Sequence, residues 1–203
     1  TISLKANPTF VDGTVIDGES GGVFAEEQYP TGLTFSNDGT KMFITGTEND
    51  SVNEFTLSTA FDISTRSFED AFNIADKDGA NEDLAPTSAK FNDDGTKMFT
   101  AGFKQFIKEF SLSTAFDVST STFERIKDLS TELTVNKPKD IEFNSDGTKM
   151  FILETSSIYV YTLTTAFDIS TASYDNYAFS TADYETSLTG FDFNDDGTVM
   201  FIL

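Results

Sequence analysis

One irregular segment of the sequence groups the oxygen ligands that a hard metal cation requires. Residues 75–83 read Ala-Asp-Lys-Asp-Gly-Ala-Asn-Glu-Asp. Carboxylate and amide oxygens around a glycine are donors that Ca²⁺ accepts, so Asp76, Asp78 and Asp83 are the candidate metal ligands. The segment lacks the spacing of a helix-loop-helix calcium site and its bidentate Glu, so a solvated acidic loop is the competing interpretation. Apart from Ca²⁺, no cofactor is expected.

The chain contains no histidine and no cysteine. Their absence removes thiol nucleophiles, imidazole bases, the Ser-His-Asp arrangement and the usual zinc, copper and haem ligands. The 34 Asp and Glu residues could form a glycosidase-type pair in many combinations, so only geometry could single one out. The glycines lie in turn sequences that no helix follows, which argues against a phosphate-binding loop. We therefore expect that the protein is not an enzyme.

The charge balance restricts the partners. Against 34 acidic residues the chain has only 13 Lys and Arg, a formal net charge of -21. Such a surface repels phosphate backbones and anionic lipid head groups. No apolar run approaches the roughly 18 residues that a membrane-spanning helix requires. We expect no nucleic-acid partner and no membrane span, while 22 Phe and 6 Tyr are enough to build a core.

Two short phrases recur along the chain. The first is Phe-Ser-Asn-Asp-Gly-Thr-Lys-Met-Phe, and its four near-copies begin at Phe35, Phe91, Phe143 and Phe193. The second is Leu-Ser-Thr-Ala-Phe-Asp-Ile-Ser-Thr, with copies that begin at Leu57, Leu112 and Leu163. The Asp-Gly pairs of the first phrase start at residues 38, 94, 146 and 196, which gives periods of 56, 52 and 50. Self-similarity at this period indicates stacked supersecondary units.

Each repeat has the pattern of several β-strands. Its apolar residues alternate in short runs rich in Phe, Ile, Val and Thr, and turn sequences separate the runs. Glycine accepts the positive φ of a tight hairpin, and the preceding Asn or Asp can cap the turn. Four strands in a unit of about 50 residues are typical of a propeller blade. We predict an all-β protein, a β-propeller with four-stranded antiparallel blades, about three and a half of them in this chain.

The second phrase is expected to shape the connection between the third and fourth strands. Its phenylalanine should fill the space under the connection, and the following aspartate should cap the turn. These pairs are Phe61 and Asp62, Phe116 and Asp117, and Phe167 and Asp168. A ring of aspartate ligands is the alternative, but recurrence with the same neighbours favours a structural role.

We divide the chain into an N-terminal β segment, 1–29, and propeller repeats, 30–203. The predicted blades are 30–84, 85–136, 137–187 and a partial blade, 188–203. Because the chain begins at Thr1 without a Met, we expect a processed product or a fragment. Either the N-terminal segment completes the partial blade or the natural chain continues with more blades. We favour the second, because a chain that ended inside a hairpin would leave an unpaired strand edge.

The phrases Asp-Gly-Thr-Lys-Met-Phe and Leu-Ser-Thr-Ala-Phe-Asp-Ile-Ser-Thr resemble propeller-type repeats of large extracellular proteins of marine bacteria. They also resemble repeats in structural proteins of the phages of those bacteria, including cyanophage tail and appendage proteins. More distantly, they are similar to the Ser-Pro-Asp-Gly hairpins of surface-layer propellers. The resemblance covers about Pro30 to Leu203 and implies a scaffold rather than an activity.

From the resemblance and the composition we expect a non-enzymatic structural or adhesive module on a marine phage virion, as a tail fibre, appendage or decoration protein. The expected location is therefore extracellular or on the virion. Expected partners are other structural subunits or further blades of the same chain, and in addition a host-surface glycan or protein. Two alternatives stay open: a secreted or cell-surface bacterial adhesin that depends on calcium, and a glycan-active propeller enzyme that uses carboxylates.

Overall fold

The computed structural model describes residues 27, 29–47, 49–75, 85–102, 104–133, 137–184, 186–194 and 197–203. The fourteen strands of this part of the chain are β1 (Pro30–Phe35), β2 (Lys41–Gly46), β3 (Ser51–Leu57), β4 (Arg66–Asn73), β5 (Pro86–Phe91), β6 (Lys97–Gly102), β7 (Phe106–Leu112), β8 (Ser121–Asp128), β9 (Asp140–Phe143), β10 (Lys149–Glu154), β11 (Ser157–Leu163), β12 (Ala172–Ser180), β13 (Phe191–Phe193) and β14 (Met200–Ile202). Three short 3₁₀ turns accompany them, Ile63–Thr65, Val118–Thr120 and Ile169–Thr171. No helix among the described residues is long and apolar enough to cross a membrane.

The strands form four antiparallel sheets, each in the order of the chain. The first blade is β1-β2-β3-β4, the second β5-β6-β7-β8 and the third β9-β10-β11-β12, while β13-β14 is the described part of the fourth. The predicted all-β propeller with four-stranded antiparallel blades is confirmed. The division at residue 29 stays a prediction, because 1–26 lie outside the described residues.

The Asp-Gly hairpin forms as the sequence predicts. Gly39 has a φ of 68°, and Gly95, Gly147 and Gly197 have nearly the same value. The Asp38 carboxylate accepts a hydrogen bond from the Thr40 amide at 3.0 Å, which caps the turn. A side chain at Gly39 would also collide with the Phe61 ring, since a Cβ there would lie 2.4 Å from a ring carbon. The glycine is therefore needed for its conformation and for the ring that packs on it.

The second phrase builds the connection that supplies this ring. Phe61 has a φ of 60°, which is unusual for a bulky residue, and its amide donates to the Gly39 carbonyl at 2.9 Å. The Asp62 side chain accepts from the Ser64 amide and begins the 3₁₀ turn. Phe116 and Phe167 repeat this geometry with φ values of 57° and 53°. The structural interpretation of the second phrase is thus confirmed.

The hydrophobic core lies between blades. Phe43 of the first blade packs against Phe91 and Phe116 of the second, with ring centroids 4.3 and 6.3 Å away. Phe99 packs in the same way against Phe143 and Phe167 of the third blade. Because each blade buries its apolar face on its neighbour, the repeat holds the array together as well as forming each sheet.

The inner strands β1, β5, β9 and β13 follow one another around the inner edge of the array, and side chains connect neighbours. The hydroxyl of Thr31 donates to the Pro86 carbonyl at 2.5 Å, and that of Thr87 donates to the Pro138 carbonyl at 2.7 Å. Lys139 continues the series toward the fourth blade through a 2.6 Å bond to the carbonyl of residue 188. These bonds hold the starts of the inner strands in a common arc.

Candidate functional site

The candidate site lies on this arc, where equivalent positions of the inner strands carry different polar groups. We call Ser88, Lys90, Asp140, Glu142 and Asp192 the axial cluster. The second, third and fourth blades each contribute to it through β5, β9 and β13. A cavity of about 390 Å³ opens beside the cluster, with lining residues from all four blades.

The cluster is held by bonds between blades. Lys90 forms an ion pair with Glu142 of the next blade. The hydroxyl of Ser88 donates to one carboxylate oxygen of Asp140 at 2.6 Å, and the other oxygen accepts from the Phe191 amide at 3.1 Å. Asp140 therefore connects three blades, and its position is fixed by bonds on both oxygens.

The electrostatics of the cluster are set by an excess of carboxylates. Burial raises the pKa of Glu142 to about 8, and although Lys90 opposes the shift, Asp140 and Asp192 add to it. Burial alone would lower the pKa of Lys90, but attraction to Glu142, Asp140 and Asp192 outweighs it, so the pKa of Lys90 is raised. The causes differ: burial dominates for Glu142 and attraction to the carboxylates dominates for Lys90, but both shifts make the site hold its protons more tightly.

A second cavity, of about 250 Å³, lies toward the Asp-Gly hairpins. Lys90 and Asp192 line both cavities, so the axial cluster borders an opening on each side. Glu142 is 9% exposed, whereas Asp192 is exposed. An incoming group would therefore meet the Asp192 carboxylate first and the Lys90–Glu142 pair behind it.

The cluster is poorly equipped for nucleophilic chemistry. The Ser88 hydroxyl donates to a carboxylate with no imidazole between them, because the chain has no histidine. The raised pKa of Lys90 keeps its amine protonated and not nucleophilic. A carboxyl with a raised pKa suits a general acid, but Oε1 of Glu142 is already occupied by Lys90. On the side of the 250 Å³ cavity, where Asp93, Glu142 and Asp192 outnumber Lys90, the site offers a ligand negative charge.

The sequence-predicted metal ligands Asp76, Asp78 and Asp83 lie outside the described residues, so the calcium site stays a prediction. In the part of the chain that the structure describes, no group of three or more acidic side chains is arranged to hold a metal ion.

The axial cluster was not predicted from the sequence. Its signal is the residue before the first Phe of each hairpin phrase, which differs in every repeat: Thr34, Lys90, Glu142 and Asp192.

No protein-family model and no curated protein matches the sequence. Solved structures do match. A "putative 6-phosphogluconolactonase" from Bacteroides uniformis has a TM-score of 0.57 at 15% identity, over 85% of this chain and 46% of that one. A second protein of that description, from Bacteroides fragilis, has a TM-score of 0.51 at 14% identity, over 78% and 40%. The β-propeller domain of Cps50 (Swd1) from Myceliophteria thermophila has a TM-score of 0.52 at 12% identity, over 85% and 49%.

These matches show the fold, a β-propeller, and the chain spans less than half the length of each of the three structures. The expectation of a structural or adhesive module on a phage virion is wrong, since the matching structures include proteins named as lactonases and none of these three is a virion protein. The adhesin and glycan-enzyme alternatives gain no support either. The reason is physical. The repeated phrases on which that expectation was based form turns and contacts between blades, so they indicate the fold and not where the protein is located.

Proposed function

We propose that the protein is a non-catalytic β-propeller binding module whose axial cluster receives a cationic group of a partner, such as the ammonium or guanidinium of a peptide side chain. The observation that carries the proposal is the excess of carboxylates at the 250 Å³ cavity, where Asp93, Glu142 and Asp192 line the opening together with Lys90. A second positive charge would offset the repulsion among these acids. This cavity of about 250 Å³ has room for one such side chain.

The proposal of a non-catalytic role has two supports. The whole chain lacks histidine and cysteine, and the one amine of the cluster is held protonated. The lactonases that share the fold are named for a phosphorylated substrate. An anionic substrate would meet the carboxylates of the axial cluster, so we do not extend that activity to this chain. An extracellular location stays a prediction, which the acidic composition favours.

Binding of a cation should depend on pH in a defined way. Because burial raises the pKa of Glu142 to about 8, the ionised fraction of this carboxyl, which pairs with Lys90 as an ion, grows between pH 6.5 and 8.5. A cationic ligand prefers the ionised form, so its affinity should rise as the pH increases from 6.5 to 8.5. A ligand that relied only on acids with ordinary or lowered pKa values would show no change over this range.

The test uses tetralysine as the probe, titrated into the 203-residue chain by calorimetry at low salt. We expect Asp192→Asn to weaken binding about 3–10-fold, the effect of one exposed charge pair or somewhat more. Glu124→Gln is the matched control, because it removes one exposed acid from β8, away from the cluster. An equal loss in both variants would mean general attraction to a polyanion. Hydrolysis of 6-phosphogluconolactone by the chain would contradict the non-catalytic role.

A further inference from the structure

Two interfaces between blades share a clamp made of a lysine and a glutamate. In the first, Lys41 of β2 pairs with Glu54 of β3 and donates to the Phe116 carbonyl of the second blade at 2.9 Å. Oε2 of Glu54 accepts from the Val118 amide of the same connection at 2.8 Å. The pair thus binds one carbonyl and one amide of the next blade, and Glu54 is almost fully buried there.

The second interface repeats these contacts. Lys97 pairs with Glu109 at 2.8 Å and donates to the Phe167 carbonyl at 2.6 Å. Oε2 of Glu109 accepts from the Ile169 amide at 3.1 Å. Because the same four groups meet twice, the carbonyl and amide of the second phrase act as a receiving site for a Lys–Glu pair.

The first blade presents the same receiving site on its other face, toward no described blade. Its groups are the Phe61 carbonyl and the Ile63 amide, and among the described residues neither has a hydrogen-bond partner. The Phe61 ring is 59% exposed, whereas its equivalents in the next blades pack against Phe43 and Phe99. Leu33 is 53% exposed although Ala89, at the same position of the second blade, is 4% exposed.

We propose that this open face, formed by Leu33, Phe35, Phe61, Ile63 and Phe68, receives a further blade whose second strand carries a lysine and whose third strand carries a glutamate, at the positions of Lys41 and Glu54. The contacts at the two interfaces already formed determine which groups this further blade must carry. The lysine meets the Phe61 carbonyl, the glutamate meets the Ile63 amide, and an aromatic residue two places after the lysine covers the Phe61 ring.

A second copy of this chain does not supply that blade. The outgoing faces of its first and second blades are occupied by the next blades. In the third blade Val160 stands at the position of Glu54, opposite Phe151, as the strand register shows. In the fourth, Val199 stands at the position of Lys41. The occupant is therefore a blade other than those within residues 30–203.

The first test measures amide hydrogen exchange by NMR on the 203-residue chain. Without the further blade, the Ile63 amide should exchange at least about 10-fold faster than the Val118 and Ile169 amides, which are bonded to buried glutamates. Equal protection of all three would overturn the proposal, because something else would then cover the face. Protection that appears only at high protein concentration would identify a second copy as the occupant and would also overturn it.

The second test supplies the blade. An extra copy of residues 30–84 is fused ahead of Pro30, and only the original residues are isotope-labelled. Exchange at Ile63 should slow to within about 3-fold of Val118. Glu54→Ala within the added copy removes the acceptor and should abolish the slowing, while Glu69→Ala in that copy, which removes an exposed acid outside the clamp, should leave it intact. If the fusion does not slow exchange at Ile63, or if both variants behave alike, the proposal is wrong.

Discussion

Replacing Glu142 with glutamine should flatten the pH dependence of stability between about pH 4.5 and 8. In the folded protein burial raises the pKa of Glu142 from 4.5 to about 8, so the folded state holds this proton more tightly than the unfolded state. Below pH 4.5 both states are protonated and the group has no effect. As the pH rises toward 8 only the unfolded state ionises, and the free energy of unfolding falls. Glutamine does not ionise and removes this loss.

The size of the effect follows from the shift. One pKa unit corresponds to about 1.4 kcal/mol, so the full shift of Glu142 corresponds to roughly 4–5 kcal/mol. That is an upper bound, because the pKa of about 8 already includes the attraction of Lys90 and relaxation of the site offsets part of the remaining cost of ionisation. The variant Glu142→Gln should therefore gain stability relative to the native sequence as the pH rises. Between pH 5 and pH 8 the difference between their free energies of unfolding should grow by about 2–4 kcal/mol in favour of the variant.

Urea unfolding at pH 5, 6, 7 and 8 measures this difference. Glu124→Gln is the control, because it removes the same charge from an exposed position and therefore shares the general repulsion of this acidic chain. The aspartates whose pKa values are lowered, such as Asp38 and Asp94, contribute stability that is lost only as the pH falls through their folded pKa values, below 3.8. These aspartates therefore do not change the difference measured between pH 5 and 8. Parallel curves for the native sequence and Glu142→Gln would refute the reasoning.

Three further predictions use other parts of the fold. In urea unfolding, Gly95→Ala should lower the free energy of unfolding by at least about 1–2 kcal/mol more than Gly197→Ala does. Both glycines have a φ near 70°, but only at Gly95 would the new side chain collide with the Phe116 ring. Equal losses in the two variants would contradict this. Asp70 lies opposite Glu54 as Arg125 lies opposite Glu109, and Arg125 pairs with Asp168 of the next blade at 2.5 Å, so Asp70→Arg should pair with Asp117 and raise the free energy of unfolding by about 0.3–1 kcal/mol; an unchanged melting temperature would count against the pairing. Millimolar Ca²⁺ should raise the melting temperature in the absence of chelator if the acidic loop binds it; no shift means a solvated loop.

The fold could be predicted from the sequence because the same turn residues occur in all four repeats. The glycine of the hairpin phrase has a positive φ in all four copies, and the Phe61 position packs on that glycine in the same way in each complete blade. Alternation and the turn sequences predict four strands in each repeat, and each of the three complete blades has four. Each of these features depends on residues close together in the chain.

The axial cluster and the clamp could not be predicted because both depend on pairs separated by about one repeat. Lys90 meets Glu142, and Glu54 meets the Val118 amide, only once the blades are stacked in register. In the sequence Glu54 is one acid among 34, with no neighbour that marks it. The better signal was variation: the residue just before the constant hairpin phrase differs in every repeat, and in the second, third and fourth repeats it belongs to the axial cluster.

The most direct measurement of the central claim is an NMR titration of the 203-residue chain with tetralysine at low salt, with tetraglutamate as the matched probe of opposite charge. The account predicts that the amide shifts concentrate at Gly190, Phe191 and Asp192 and their neighbours on β9, that they grow between pH 6.5 and 8.5, and that tetraglutamate produces none. Shifts of equal size spread over the acidic surface, or no shifts around the axial cluster, would contradict it.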